Sequence, residues 1–428
     1  MEKQTTKFGK YEKFIIATLT ILQFTVILDF MVLSPLGTIL LDELDINTGQ
    51  FGMVVSAYAL SAFASGVISS GFADRFDRKK YLLFFYTGFL LGTAMCAMAN
   101  TYEMLLIARI ITGIFGGVIG SVSFAIVTDL FKIDVRGRVM GFLQMGFAAS
   151  QILGIPIGLA LAKQMGWHYS FWMIVITGIP LGVLIAIYFK PVNAHLNLGK
   201  KVNPFKHFTD TLLNKEHLRA YAATVLLATG GFMLMPFGSA FSTNNLGLTL
   251  DQLPWMYGIT GVATMIMSPL IGKISDKRGR FKVFLGGTII SIITVLYYTR
   301  MGITPFGICV ALNVLLFIGI SARIVSSQAL ISIVPQPQNR GAFMGVNASI
   351  QQLAGGISAA LAGKIVTKMP NGYIDHYERL GYVVTVTMIV ASLLMYRLDK
   401  HLANRTKQAP VFSDLKSETI NQPEEAKV

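Results

Sequence analysis

The sequence is poor in charge. Only 14% of its 428 residues are Asp, Glu, Lys or Arg, whereas 53% are hydrophobic. Soluble domains carry about 25% charged residues, so this composition excludes an ordinary soluble globular protein and indicates an integral membrane protein. The formal net charge of +14 does not indicate a nucleic-acid partner, because the basic residues form short clusters between apolar runs and no separate soluble domain carries them.

Cysteine and histidine are scarce as well. The two cysteines, Cys96 and Cys309, fall within apolar runs, which argues against a disulfide framework. The six histidines include no His-Glu-x-x-His pair, which argues against a metalloenzyme. The sequence also has no nucleotide-binding signature and no attached signalling domain. We therefore expect no enzyme activity and no cofactor. A membrane-embedded enzyme or sensor is the alternative from another class.

Long apolar runs are what the sequence has in abundance. A helix needs about 20 apolar residues to cross the bilayer core. Twelve runs meet that length: 14–40, 50–72, 81–100, 103–130, 138–162, 169–189, 218–242, 253–274, 281–300, 304–334, 341–367 and 380–398. The first continues past any secretory h-region and no small-residue cleavage site follows, so we interpret it as an uncleaved helix.

These runs predict an all-α membrane protein with twelve transmembrane helices in two six-helix halves. The predicted segments are an N-terminus at 1–13, a first bundle at 14–189, a linker at 190–217, a second bundle at 218–398 and a tail at 399–428. Most of the 36 Lys and Arg residues lie in the N-terminus, the even-to-odd loops and the tail. Because basic loops stay in the cytoplasm, both termini are predicted to be cytoplasmic.

Two short patterns recur about 200 residues apart. The basic turn GKISDKRGRFK begins at Gly272, and a partial counterpart, SGFADRFDRKK, begins at Ser70. The pair Arg136-Gly137 likewise recurs at Arg340-Gly341, with an offset of 204 residues. The similar offsets indicate an internal duplication. A duplicated membrane bundle is the layout of transporters whose central cavity lies between the repeats.

The two basic turns resemble motif A of the major facilitator superfamily. The second turn matches it at Gly272, Asp276, Lys277, Gly279, Arg280 and Lys282. The first retains Asp74, Arg75, Arg78, Lys79 and Lys80, with Ser70 and Asp77 in place of glycine. The resemblance implies a fold of two six-helix halves that work by alternating access as a monomer.

The same resemblance implies a gating network of charges at the cytoplasmic side. Asp129, at the end of the fourth run, would pair with Arg78, and Asp74 would face the amino end of the eleventh helix near Gly341, where the helix dipole favours negative charge. Asp276 and Arg280 would form the corresponding part of the second half. The alternative is a set of solvated loop ion pairs, each contributing less than about 1 kcal/mol.

Asp29 is an unusual residue for its place in the sequence. It lies sixteen residues past Lys13, which is ~24 Å along a helix and well inside a core ~30 Å thick. A carboxylate there must pair, protonate or face water. The stretch LLIARIITGIFGG resembles motif B of the same superfamily through Arg109 and Gly113.

The first and fourth helices are neighbours that face the cavity in the resembled fold. The resemblance therefore implies an Asp29–Arg109 pair that carries a proton when it separates and that also contacts substrate. The alternative is a structural pair that only fixes helix packing.

Arg323 is a second intramembrane arginine, in the tenth run. It lies twelve residues before Pro335, ~18 Å from the end of that helix and near the midplane. No acidic residue is nearby in the same run, although Asp29 of the other half could compete for it. We predict that Arg323 binds an anionic or polar substrate group, because an unpaired cation in the membrane is costly. The alternative is a structural arginine that holds backbone carbonyls.

The fifth run carries Gly154, Pro156 and Gly158, which resemble motif C in the form found in the drug/sugar:proton antiporter-1 group. Such a segment is expected to kink its helix and to pack closely against the eighth. The resemblance implies proton-coupled efflux of a drug, sugar or other small metabolite across a bacterial inner membrane. The expected partners are the substrate, protons and lipid. Uptake by a symporter or uniporter of the same fold is the main alternative.

Overall fold

The computed structural model describes residues 8–70, 75–131, 133–193, 212–335 and 340–408. Nearly all of these residues are helical, which agrees with the expected class. The helices of the first half are α1 (Lys10–Val32), α2 (Gly37–Glu43), α3 (Thr48–Ser70), α4 (Arg78–Met98), α5 (Tyr102–Leu130), α6 (Ile133–Ala149), α7 (Ile155–Met165) and α8 (His168–Tyr188). A π-helical turn, Ser150–Gly154, joins α6 to α7.

The second half repeats this order after the linker, most of which lies outside the described residues. Its helices are α9 (Lys215–Leu234), α10 (Gly238–Asn244), α11 (Gln252–Arg278), α12 (Arg280–Tyr298), α13 (Phe306–Ile331), α14 (Arg340–Ile365) and α15 (Tyr377–Gln408). A short 3₁₀ turn, Met235–Phe237, joins α9 to α10. Between α14 and α15, the two-residue strands β1 (Thr367–Lys368) and β2 (Ile374–Asp375) pair antiparallel.

Each of the twelve predicted apolar runs contains helix in the described part of the chain. Among the described residues, ten helices are long and apolar enough to cross a membrane. The other two crossings are the fifth, which the π-helical turn divides, and α14, whose composition includes Asn347, Gln351 and Gln352. The prediction of an all-α membrane protein built from two halves is thus confirmed, while the count of twelve crossings stays a prediction.

The two halves meet along two long helix pairs. Helix α3 packs against α14, and the fifth crossing packs against α11. The first contact depends on small residues, because a Cβ atom added to Gly52 would lie 2.8 Å from the Ala359 carbonyl oxygen and 3.0 Å from the Gly363 Cα. Close approach of this kind is typical of helix packing within membranes.

The bundle has two distinct ends. We call the end that holds the start of α1 and the end of α15 the proximal end, and the opposite one the distal end. At the distal end the halves are joined by polar contacts that we call the distal latch. Its residue pairs are Ser34–Met235, Ser34–Ser239, Thr38–Thr243, Thr48–Val366, Asp42–Lys368 and Lys163–Asp251. The distal end is therefore closed in this structure.

Candidate functional site

Asp29 lies in the last turn of α1, where it is completely buried. Arg109 of α5 donates a hydrogen bond from Nη1 to Asp29 Oδ2 at 2.7 Å. The other carboxylate oxygen, Oδ1, accepts a bond from Thr93 Oγ1 of α4 at 3.1 Å. Three helices therefore converge on one carboxylate. Sequence depth and the motif resemblance predict the Asp29–Arg109 pair, and the structure brings these two residues together.

Arg109 is also completely buried, and its charge is only partly satisfied. Its guanidinium lies 4.5 Å from the centre of the Tyr58 ring of α3, a cation–π contact that is strongest when it is dry. Its Nε and Nη2 atoms have no hydrogen-bond partner among the residues described. Removal of Asp29 or its charge would leave an uncompensated cation in the core, so the pair holds together while the site stays closed.

Gly113 accounts for the spacing of the motif around Arg109. A Cβ atom at this position would lie 2.1 Å from Ser61 Oγ and 2.4 Å from the Tyr58 carbonyl oxygen. The glycine lies one turn after the arginine, and it lets α5 approach α3 closely enough for the Tyr58 ring to reach the guanidinium. The four-residue interval thus places a charge and a close helix contact on the same face of α5.

A row of aromatic rings links the pair to the other half. Phe30, the residue after Asp29, lies 5.2 Å from the Tyr58 ring and 5.5 Å from the ring of Phe232 in α9, measured between ring centroids. A displacement of α1 relative to α9 therefore moves a residue that is covalently next to the carboxylate. This arrangement connects the ion pair to the relative position of the two halves.

Of the predicted gating residues, Arg78 and Asp129 are in contact. Arg78 Nε lies 3.1 Å from Asp129 Oδ2, with both side chains largely buried. Asp77, which replaces the glycine of the motif, caps α4 by accepting hydrogen bonds from the Lys79 and Lys80 backbone amides. The first turn is thus a capped helix start. Asp74 lies outside the described residues, as does its predicted contact with Gly341.

The second copy of this turn has a different geometry. Gly279 alone separates α11 from α12 and has a φ of +96°, in the region that favours glycine. Asp276 lies in the last turn of α11, and its side chain is outside the described part. Arg280 is the first residue of α12, is half-buried and has no ion pair among the described residues. The structure does not bring Asp276 and Arg280 together in a described contact.

The motif C residues pack α7 against both halves. A Cβ atom on Gly154 would lie 2.5 Å from the Leu28 Cδ1 atom of α1, so this glycine leaves room for the Leu28 side chain. Pro156 lies 3.7 Å from the Cβ position of Gly258 in α11, and the Gly158 carbonyl accepts a hydrogen bond from Ser170 at 2.7 Å. The predicted irregularity is a π-helical turn just before Pro156, and the predicted approach to the eighth crossing is present.

Arg323 is separate from the Asp29 site. It lies in α13 with 4% of its surface exposed, and its guanidinium is 5.8 Å from the Phe284 ring of α12. Asp29 is bound to Arg109 and not to Arg323, so the expected competition for Asp29 is not found. No group of three or more His, Cys, Asp or Glu residues in the described ranges is placed to hold a metal ion.

Thr93 and Tyr58 are site residues that the sequence did not predict. Thr93 is a completely buried hydroxyl in the middle of an apolar run, within LLGTAM, and that is a usable signal. Tyr58 has no comparable signal, because a tyrosine in a membrane helix is common. Only the contact across α3 and α5 identifies it.

Comparisons with known proteins identify relatives along most of the chain. A family model described as Major Facilitator Superfamily matches residues 19–218 and 220–421. The uncharacterized MFS-type transporter YceJ of Bacillus subtilis (strain 168) is 27% identical over 264 residues, which cover 61% of this chain and 67% of that protein. Multidrug resistance protein 3 of the same organism is 33% identical over 135 residues, 32% of this chain and 26% of that protein.

A solved structure has the same fold. It is a bacterial homologue of the human lysosomal transporter Spinster, in an inward-facing and unoccupied conformation. The TM-score is 0.73 at 15% identity, and the match covers 92% of this chain and 98% of that one. At that identity the likeness establishes the arrangement of helices alone.

Proposed function

The chain belongs to the Major Facilitator Superfamily, and on that basis we propose that it is a proton-coupled exporter of a small organic molecule. Its relatives are multi-pass membrane transporters, and it is a secondary transporter by family. Proton coupling and export are the finer parts of the proposal. We place it in a bacterial inner membrane as a monomer with both termini in the cytoplasm, following the distribution of Lys and Arg.

One observation carries the coupling: a carboxylate and a guanidinium form a completely dry pair inside the first half, at 2.7 Å. A buried ion pair is stable only while both partners are present and in contact. If the helices separate, Asp29 must either meet water or take a proton. Such a group binds a proton in one conformation and releases it in the other, as coupling to a proton gradient requires.

The structure suggests how that separation is driven. With the distal latch closed, Phe30 is held against Phe232 and the ion pair is sealed. We expect opening of the latch to withdraw Phe30, to shift α1 away from α5 and to admit a proton to Asp29 from the distal side. Closure would then restore the Arg109 contact and release the proton toward the proximal side. The Arg78–Asp129 pair would help to hold one of the two states.

Export is favoured by the residues of the fifth crossing. Gly154, Pro156 and Gly158 match the antiporter motif and lie where α7 contacts both α1 and α11. The relation to Multidrug resistance protein 3 of Bacillus subtilis points the same way. In an antiporter, proton entry from the distal side would be coupled to substrate leaving by that side.

The test uses purified protein in liposomes that contain a pH-sensitive dye. A pH gradient is imposed, candidate substrates are added, and wild type is compared with Asp29→Asn. Asp399→Asn, near the end of α15, makes the same chemical change outside the bundle core and is the control. We expect substrate-dependent proton flux in wild type and in Asp399→Asn, with at least a tenfold loss in Asp29→Asn.

The sign of that flux separates the alternatives. Proton movement opposite to substrate establishes antiport, and movement in the same direction establishes the symporter. Substrate movement without proton flux establishes a uniporter and contradicts the role of Asp29. Ligand binding without translocation would support a sensor.

A further inference from the structure

Arg323 lies in the interior of the second half, and no described residue forms an ion pair with it. Among the described residues, no group accepts a hydrogen bond from its Nε or Nη2 atoms. The described interaction of its guanidinium is with the face of Phe284 at 5.8 Å, close to the ~6 Å limit of a cation–π contact. It lies eight residues before the end of α13, ~12 Å from that end. A cation so placed must have its charge balanced from elsewhere.

The surrounding helices do not supply that balance. Helices α12 and α13 contain no Asp or Glu, and α11 contains only Asp276, close to its end. Asp29, the one acid deep in the first half, is already bound to Arg109. A buried donor without an acceptor destabilises a protein by about 1 to 3 kcal/mol, and more when it is charged. An acceptor group on a bound ligand would remove this cost for Arg323.

A second unsatisfied group lies on the same contact between α12 and α13. Ser291 of α12 is completely buried, and its hydroxyl has no partner in the described part of the chain. A Cβ atom on Gly319 would lie 2.5 Å from that hydroxyl, which places Ser291 against α13 one turn away from Arg323. Gly287 of α12 lies at the same interface, because a Cβ atom added to it would be 3.2 Å from the Arg323 backbone nitrogen. The Arg323 guanidinium and the Ser291 hydroxyl are therefore two donors without described acceptors at the α12–α13 contact.

This contact is next to an exposed face of α13. Ile324, the residue after Arg323, is 45% exposed, and Gln328 is also exposed. Both lie in the half of α13 toward the proximal end, opposite the closed distal latch. The exposed part of α13 next to Arg323 is therefore on the side of the bundle away from the latch.

We propose that Arg323 and Ser291 form an anion-binding subsite, and that the transported molecule is an organic anion such as a carboxylate or sulfonate. A guanidinium suits these groups because it can donate two parallel hydrogen bonds to two oxygens. The subsite belongs to the second half, whereas the proton pair belongs to the first. This inference rests on the proposed transport function and adds the chemical class of its substrate.

The test measures binding with three probes that share one ring system and differ in charge: naphthalene-2-sulfonate, 2-naphthylmethanol and 2-naphthylmethylammonium. Thermal unfolding of the full-length protein in detergent is recorded with each probe, because a ligand that binds only the folded state raises the melting temperature. Wild type is compared with Arg323→Gln, Arg323→Lys and Ser291→Ala. Arg300→Gln is the control, since Arg300 lies at the distal end of α12 and bonds to the Tyr382 hydroxyl.

We expect the sulfonate alone to raise the melting temperature of wild type and of Arg300→Gln. The apparent Kd should rise at least tenfold in Arg323→Gln and less in Arg323→Lys and Ser291→Ala. Equal effects of all three probes on wild type, or an unchanged sulfonate effect in Arg323→Gln, would overturn the proposal.

Two further readouts distinguish an anion site from a structural arginine. Without ligand, Arg323→Gln should melt at the same temperature as wild type or above it, because an unsatisfied charge has been removed. A lower melting temperature would show that Arg323 is a structural residue, and stronger sulfonate binding in Asp276→Asn would show that Asp276 already balances its charge; either result would overturn the proposal. These binding measurements are made in detergent without a proton gradient, so a failure of proton coupling is distinguishable from a failure of the anion site.

Discussion

The two halves of this transporter share a helical plan but differ in what they bury. Helices α5 and α13 begin 204 residues apart, the offset of the repeated Arg-Gly pair. At that offset Arg109 corresponds to Asn313, which accepts a hydrogen bond from the Thr260 hydroxyl at 3.1 Å. Conversely, Arg323 corresponds to Ile119, a completely buried hydrophobic residue. The first half holds a paired charge at a position where the second half is neutral, and, among the described residues, the second half holds an unpaired charge at a position where the first half is apolar.

The two halves therefore share the arrangement of their helices, whereas their buried charged residues differ in position and in pairing. A neutral Asn–Thr contact can stay closed or open at little cost, since its net contribution is about 1 kcal/mol. An ion pair in the same place makes separation of the helices depend on a proton. In the proposed function, the first half responds to the proton gradient and the second recognises the transported molecule.

The largest expected effect comes from breaking the charge pair. Arg109→Met leaves Asp29 buried without a counter-charge, so we expect a loss of about 3 to 5 kcal/mol, seen as a lower melting temperature in detergent. Asn313→Leu at the equivalent position of the second half removes a neutral bond and should lower stability by about 1 kcal/mol.

The double variant Asp29→Leu with Arg109→Met completes this comparison. Replacing both partners by apolar groups is often neutral, so it should recover most of the lost stability while remaining inactive in proton-coupled transport. If the double variant is instead much less stable than wild type, the pair contributes net stability and the case for a functional pair weakens.

The helix contact below the pair should give the next largest effect. In Gly113→Ala, the new methyl group meets the Tyr58 carbonyl at 2.4 Å, which only a shift of α5 from α3 can relieve. We expect a loss of about 1 to 3 kcal/mol, as for an overpacked core, together with reduced proton-coupled flux in liposomes. Gly286→Ala in α12 is the matched control, because no atom lies within 4 Å of its Cβ position. Equal behaviour of the two variants would contradict a close α3–α5 contact.

Much of this site was accessible from the sequence, for identifiable reasons. Asp29 and Arg109 are rare charges in apolar runs, and their distance from the helix ends places them at a similar depth. The Arg78–Asp129 contact followed from motif resemblance. Thr93, Tyr58 and the distal latch were not predicted, because ordinary Ser, Thr and Tyr side chains become informative only when packing brings two helices together. The π-helical turn was also missed, since a Pro–Gly segment indicates an irregularity without its type.

The two basic turns offer a smaller comparison. Gly279 has a φ of +96°, so Gly279→Ala should cost about 1 to 2 kcal/mol through backbone strain. Asp77 in the equivalent turn has a φ of −57° and acts as a cap, so Asp77→Gly should cost only a few tenths of a kcal/mol. Thermal unfolding of both variants measures the difference. Equal losses would indicate that the first turn also depends on its residue type for backbone geometry.

The smallest effect on stability is expected at the distal latch. Asp42 and Asp251 are mostly exposed at 61% and 72% of their side-chain surface, and exposed ion pairs contribute about 0 to 1 kcal/mol. Asp42→Asn with Asp251→Asn should therefore leave the melting temperature almost unchanged. It should still favour the distal-open state, because both pairs join the halves and are lost when that end opens.

A cysteine introduced at Thr38, whose partner Thr243 lies across the interface, reports on that state through its labelling rate by a membrane-impermeant maleimide. The native Cys96 and Cys309 are buried and give the background. We expect labelling to be several times faster in the latch variant than in the parent carrying the same cysteine. An unchanged rate would mean that apolar contacts such as Phe51–Phe237 hold the distal end closed. The two ion pairs at that end would then contribute nothing to closure. In that case the Asp29–Arg109 charges would control the proton step, and apolar packing would control the opening of the distal end.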